Sequence, residues 1–251
     1  MHNYDDEFFD YVNLGAQRSA EILLPLLKQH LPIESVLDVG CGEGAWLDVW
    51  KKLGGSEVHG VDGDYVAQER LIIAPNEFTA ADLSAPFNLN RQFDLVQSLE
   101  VGEHLPTQSS DDFVDSIVKH GQCVLFSAAA IGQGGDSHIN EQHYEFWRQK
   151  FAKHHYVAID YTRPKLMNDK RIEPWYRYNA FLYVHQDLVG SLPSTLKTNI
   201  VDDSQPLRDI SPLWYQARKK LISLLPISLG TKMAKCKESW TVIRKIKFQK
   251  K

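Results

Sequence analysis

The chain has 251 residues, 43% of them hydrophobic and 24% charged, with a formal net charge of −4. That suits a folded α/β domain with an appendage and excludes a low-complexity or disordered chain. The three cysteines, Cys41, Cys123 and Cys236, are scattered, which argues against a disulfide framework or a cysteine-based metal site.

The charge is unevenly placed. Residues 213–251 hold eleven Lys/Arg and one acid, Glu238, so an acidic body of about −14 carries a basic tail of about +10. The N-terminus is acidic and lacks the apolar core of a secretory signal, and no apolar run is long enough to span a bilayer. A reducing, cytoplasmic setting is the expectation.

In chain order, residues 4–30 read as a helix with Ile22, Leu23, Leu26 and Leu27 on one side. "SVLDVG" is a strand, "GAWLDVWKKLG" a helix ending in glycine, and "EVHGVD" a second strand with a helix expected from about Asp64. "NEFTAAD" and "QFDLVQSL" read as strands, "SSDDFVDSIVKHG" as a helix and "QCVLFSAA" as a strand. "NEQHYEFWRQKFAKH" is a helix, with Asn140 as its expected cap, and "YVAIDY" and "RYNAFLYVHQ" are the last strands. Strands alternating with helices predict a Rossmann-like, doubly wound sheet, mostly parallel and seven-stranded, with helices on both faces. The boundaries expected are an N-terminal helical cap over 1–32, a core domain over 33–187, a linker over 188–212 and a basic amphipathic helical tail over 213–251. A chain ending at Gln186 should therefore stay folded.

Ligands of such sheets bind at the carboxyl ends of the strands. The loop Gly40-Cys41-Gly42-Glu43-Gly44 lies there, with Ala45 where a dinucleotide fingerprint would have its third glycine. Asp38 and Glu43 flank the glycines and no Lys or Arg occurs from Leu31 through Trp50, a poor setting for pyrophosphate and a good one for an ammonium group. Asp62 ends the second strand, where a carboxylate accepts from a ribose diol. In "AADL", Asp82 can accept from an adenine amine and Leu83 can cover the ring. A cationic amino-acid end, a ribose and an adenine without phosphate describe S-adenosylmethionine (SAM). The glycines alone would equally serve a tight strand–helix turn.

On these residues the sequence resembles a class I SAM-dependent methyltransferase: "VLDVGCGEG" is similar to the first motif, "HGVDGD" to the acidic second motif and "FDLVQSLEVGEHL" to the fourth-strand motif. The resemblance implies that Asp38, Gly40, Cys41 and Gly42 surround the methionine part. It places Asp62 and Gly63 at the ribose, Asp82 and Leu83 at the adenine, and Ser98, Leu99 and Glu100 against the methionine and the reaction centre, as part of the cofactor site. The product would be S-adenosylhomocysteine.

Two segments offer an acceptor base. His104 follows the fourth strand in "EVGEHLP"; Glu100, Glu103 and His104 suggest a metal motif, but no second histidine stands near in sequence, and no metal is expected. "GQGGDSHINEQHYEFW" follows the fifth strand and resembles a subgroup of methyltransferases encoded with surface-glycan genes. It makes His138 the expected base or acceptor-binding group, with Glu141 also catalytic and Asn140 and Gln142 holding the acceptor. Residues 162–177 form an expected acceptor loop in which Arg163, Trp175, Tyr176 and Arg177 suit a phosphorylated sugar, though a solvated loop would look the same. The N-terminal aromatics Phe8, Phe9 and Tyr11 suit core packing or closure over the cofactor.

The function expected is O-methylation of a sugar or phosphorylated precursor in surface polysaccharide biosynthesis. The alternative is a lipid or quinone-like acceptor at a membrane surface, with the basic tail as a peripheral contact to the inner membrane face. The tail reads equally as a helix docking on the acidic body, on a neighbouring subunit or on a partner enzyme. The acidic body speaks against nucleic acid. A NAD-dependent oxidoreductase is disfavoured by the missing third glycine and the AADL acid. An inactive SAM-binding scaffold is disfavoured by the intact motifs.

Overall fold

The computed structural model describes residues 6–225, with side chains from residue 13 onward. The side chains of Phe8, Phe9 and Tyr11, and the tail from residue 226, lie outside the described residues. Helix α1 (Asp6–Lys28) leads into β1 (Ser35–Val39), α2 (Ala45–Lys52), β2 (Glu57–Asp62), β3 (Phe78–Ala80) and β4 (Leu95–Leu99). Then come α3 (Ser110–Val118), β5 (Cys123–Ser127), α4 (Tyr144–Lys153), β6 (Tyr156–Ile159), α5 (Thr162–Leu166), α6 (Pro174–Asn179) and β7 (Phe181–His185). The chain closes with α7 (Gln186–Val189), α8 (Ser194–Lys197) and α9 (Leu213–Ile222).

The seven strands form one sheet in the order β3-β2-β1-β4-β5-β7-β6. All pairings are parallel except those of β7, which runs antiparallel to both β5 and β6. Alternation along the strands sends neighbouring residues to opposite faces. Val36, Val58, Leu95, Leu125 and Leu182 pack under α1 and α2, while Leu37, Val61, Val96, Val124 and Phe181 pack under α3 and α4. In α1 the fully buried positions are Ala20, Leu23, Leu24 and Leu27, one helical stripe, with Ile22 and Leu26 only partly covered.

Three expectations about the elements are corrected. No α-helix follows Asp64: residues 64–77 hold only two short 3₁₀ turns, Gln68–Arg70 and Pro75–Glu77. This segment folds back over the glycine loop, where Ile72 N–H donates to the Glu43 carbonyl and Ile73 lies against Gly44 and Gly60. Helix α4 begins at Tyr144 behind His143, so Asn140 is not its cap. Residues 162–177 are not a lid either. They form α5, a turn and most of α6, and are tied to α1 where Arg18 donates to the Arg171 carbonyl and to Glu173, each at 2.6 Å.

The expected linker is also built into the body. Leu192, Leu196 and Leu207 are buried, Ile159 pairs with Ile200, and Asp160 N–H donates to the Asn199 carbonyl. Arg148 on α4, itself buried, donates to the carbonyls of Val201, Asp202 and Gln205 and to Asp203. No helix among the described residues is long and apolar enough to cross a membrane.

Each of those leucines contributes about 2 kcal/mol of burial, and removing the carbonyls around a buried guanidinium costs several kcal/mol more. A total of that size is comparable with the whole stability of a domain, about 5–15 kcal/mol. A chain ending at Gln186 is therefore expected to lose its cooperative thermal transition, whereas one ending at Leu225 keeps it; circular dichroism melts of the two compare them directly.

Candidate active site

Because β1, β2, β4 and β5 are parallel, the loops after their carboxyl ends meet along one edge of the sheet. At the end of β1 the backbone turns through left-handed conformations at Gly40 (φ 85°), Gly42 (φ 54°) and Gly44 (φ 92°). Gly40 and Cys41 donate to the Val61 carbonyl. A Cβ at Gly40 would lie 2.2 Å from Val101, whereas one at Gly42 would meet nothing within 4 Å. The first glycine is demanded by packing, and the second opens onto free space in which a ligand can approach the backbone.

The acids around this loop divide into two groups. Glu43 is buried but paired with Arg70 and accepts from Asn13, so it is not available to a ligand cation as the sequence suggested. Asp38 is 2% exposed, and burial pushes its carboxyl up to about 7, opposed by Gln97 and reinforced by Asp62. Asp62 is also raised by burial; one oxygen accepts from Gly42 N–H at 2.7 Å and the other from Gly63 N–H at 2.7 Å and the Tyr65 hydroxyl at 2.5 Å. A carboxylate has about four acceptor positions, so one remains open, and a diol reaching both oxygens would displace Tyr65. Cys41 is buried beside Gly60. Asp82 is exposed and holds a turn through Ser84, which keeps its carboxyl below the usual range, while Leu83 is buried in the core.

At the end of β4 the expected trio separates. Ser98 is fully buried and donates to the Val39 carbonyl, and Leu99 packs in the core, so neither side chain reaches a reaction centre. Glu100 is held in a left-handed conformation (φ 59°) with its amide bound to Ser127. Its carboxylate accepts from Gln133 at 2.6 Å and lies 3.4 Å from the Asn179 amide, and Asn179 in turn donates to Gln133. Gln133 and Asn179 were not anticipated. The only hints were a glutamine among the glycines of "GQGGD" and a polar residue just before the last strand.

The loop after β5 is organised by one carboxylate. Glu141 accepts from Gly132 N–H and Gly134 N–H, each at 2.7 Å, and from His138 Nδ1 at 2.8 Å. It thus fixes the glycine turn and orients His138, rather than facing an acceptor. The His138 ring meets His104 edge to face, with centroids 5.0 Å apart. Glu103 beside it is fully buried, and burial together with the nearby Glu100 holds its carboxyl well above the ordinary range. The same loop is braced from α9: Arg218 donates to the Gln133 carbonyl at 3.0 Å, and Gly132 lies so close to the Lys219 carbonyl that a Cβ would come within 1.9 Å of it.

Most expected acceptor contacts are otherwise engaged. Asn140 is 2% exposed and bonds Gly102, Thr107 and Ser110; Gln142 donates to Asn140. Arg163 is fully buried, paired with Asp160, bound to the Tyr178 and Arg208 carbonyls and stacked on Phe181. Arg177 donates to the Asp169 carbonyl and stacks on Tyr178, and Trp175 packs on the core. The Arg163 guanidinium, already surrounded by acceptors, has little left for a phosphate, so that part of the phosphate reading loses its basis. Tyr176 keeps a place near the site: it is buried edge-on to Trp46, and Glu100 and Asp38 both act on its hydroxyl.

A glycine loop opening onto free space between buried acids, with a histidine cluster one strand away, defines a Rossmann-like enzyme for an adenosine-type ligand. The chain belongs to the methyltransferase-domain family, whose model matches residues 11–175. It is 31% identical over 117 residues to a mitochondrial ubiquinone biosynthesis O-methyltransferase of Dictyostelium discoideum, across 39% of this chain and 36% of that protein. Its fold is similar to that of DesVI from Streptomyces venezuelae (TM-score 0.55, 18% identity, 73% of this chain and all of that one). It is also similar to the sugar N-methyltransferase KedS8 from Streptoalloteichus sp ATCC 53650 (TM-score 0.54, 17% identity, 74% of this chain and 96% of that one).

The glycine geometry makes a paired prediction. Gly42→Ala should cost only the left-handed penalty of about 1–2 kcal/mol yet obstruct ligand approach. Gly40→Ala adds a clash with Val101 and should cost clearly more. Chemical denaturation of the two variants ranks them, and equal costs would contradict the packing described.

Proposed function

We propose that the protein is a SAM-dependent methyltransferase acting on a hydroxyl of a small acceptor, a sugar being the first reading. The observation that carries it is the oriented His138–Glu141 pair placed by the fold beside the fourth-strand edge. The methyl donor is SAM, and the residues fit it. Asp38 supplies negative charge for the ammonium group, the Gly40–Gly42 backbone allows close approach, Asp62 keeps an acceptor position for the ribose, and Asp82 keeps an oxygen for the adenine amine. SAM supplies an electrophilic methyl on a sulfonium. The protein's own work is to hold the acceptor oxygen in line and to receive its proton. With Nδ1 of His138 held by Glu141, Nε2 carries the lone pair that takes that proton. Glu100, positioned by Gln133 and Asn179, stands beside this group.

A quinone-like or lipid acceptor at a membrane surface is the second reading. Two observations support it: the similarity to a ubiquinone biosynthesis O-methyltransferase, and the exposed Leu213, Trp214 and Leu221 along α9, with Leu224 just after it, at the start of the basic tail. On either reading the chemistry faces the cytoplasm, and the tail is a contact to membrane or partner enzyme. Labelled SAM offered with nucleotide sugars, sugar phosphates, sugars and phenolic quinols tests both readings; transfer to none of them would overturn the assignment to a hydroxyl acceptor. Pelleting with anionic vesicles tests the membrane contact.

His138→Ala is expected to leave SAM affinity within about twofold while lowering kcat by about 10²–10⁴-fold; calorimetry and single-turnover kinetics separate the two effects. The Asp38 carboxyl gives a pH signature. Its value near 7 stands above the ordinary 3.8, so in the ligand-free protein it costs stability progressively as pH rises from about 4 to 7. An ammonium ligand favours the ionised form, so SAM affinity should rise with pH below 7, by at most about tenfold per unit, and level off above it. Asp38→Asn should bind more weakly and without that slope when titrated at pH 6, 7 and 8.

A further inference from the structure

We propose that Glu103, His104 and His138 form a binding site for one divalent transition-metal ion. The sequence alone argued against a metal because only one histidine stood near the glutamates. The fold removes that objection, since the loop after β5 returns to place His138 against His104, with ring centroids 5.0 Å apart. One ligand atom from each of the three residues lies within 4.8 Å of the others. Donors bound about 2.1 Å from a common ion sit roughly 3–4 Å apart, so movements of less than about 1 Å would close the site.

Three features indicate a ligand rather than a chance cluster. Glu103 is fully buried, yet among the described residues neither of its carboxylate oxygens has a hydrogen-bond partner. A group so placed is costly unless something binds it. Next, Glu141 holds His138 through Nδ1, the outer carboxylate–imidazole arrangement that orients a metal-binding ring and leaves Nε2 as donor. Finally, the buried Glu100 carboxyl lies near enough to act electrostatically on both Glu103 and His138, and a dication would relieve the crowding of the two acids. Two imidazoles and a carboxylate, with no thiolate, suit Mn²⁺, Fe²⁺ or Zn²⁺ better than the oxygen-seeking Ca²⁺ or the thiolate-seeking Cu⁺.

The inference rests on the functional reading only for where the acceptor sits; ion binding itself does not depend on it. The nitrogen used above as a base is the one that the ion would take, so His138 holds either the ion or the proton. Metal dependence of turnover distinguishes the two.

The test uses the full chain, stripped with EDTA and studied without SAM or acceptor. Equilibrium dialysis with Zn²⁺ and electron paramagnetic resonance with Mn²⁺ should show one ion per chain. Pulsed measurements on the Mn²⁺ form should show two directly bound imidazole nitrogens. Glu103→Gln and His138→Ala should each weaken binding at least tenfold, and Glu141→Gln about tenfold. His154→Ala, at a surface ion pair with Asp115, should leave it unchanged. No stoichiometric uptake by the wild-type chain would overturn the proposal and leave Glu103 as a buried neutral acid. Uptake without nitrogen ligation, or equal uptake by His138→Ala, would overturn it too. The wild-type nitrogen signal decides the matter even where a variant fails to fold.

Discussion

The turn at Gly40 is the constraint on which the rest of the site depends. β1 ends there, its next two amides close onto the Val61 carbonyl, and the Gly40 α-carbon lies too close to Val101 for any side chain. That contact joins the first loop to the fourth. It sets Asp38 and Asp62 on one side of the crevice and Glu100, held left-handed at the end of β4, on the other. A glycine is required at that position by a neighbour more than sixty residues away in sequence, not only by the local turn.

The carboxylates along this edge do different work according to what surrounds them. Glu43 is neutralised by Arg70, and Glu141 is engaged by two amides and an imidazole, so both stabilise loops. Asp38, Asp62, Glu100 and Glu103 are all pushed toward protonation by burial, and among the described residues no cation pairs with any of them. Desolvated acids of this kind are costly to the empty fold and favour ligands that bring positive charge. The sulfonium amino acid is one such ligand, and the metal dication proposed above would be another.

The C-terminal part belongs to the body: the stretch expected as a linker is packed, and the start of the basic segment docks there, one of the readings its sequence left open. Residues 188–212 cover the β6 edge through Leu196 and Leu207, and α9 then reaches the loop after β5, where Arg218 and the Lys219 backbone hold the glycine turn in place. The described part of the basic segment therefore shapes the histidine cluster, while its outward face keeps Trp214, Leu221 and Leu224 exposed.

Much of the cofactor half was legible in the chain alone. The strand order of elements, the glycine loop, Asp38 and Asp62 are specified by residues close in sequence, where alternation, turn chemistry and spacing act within one strand–loop–helix unit. The helix expected after Asp64 failed because tertiary contacts of Ile72 and Ile73 with the loop replaced it. The acceptor half was not legible, because its groups come from the ends of β4 and β5, from α6 and from α9. A sequence shows that Arg163 is a cation, but only packing decides that Asp160, two carbonyls and Phe181 already surround it. Likewise the chain contains His104 and His138 as separate residues, and only the parallel pairing of β4 with β5 brings their rings together. Local covalent neighbours determine backbone turns and periodicity, whereas burial and partner choice depend on groups that meet only after the sheet has formed.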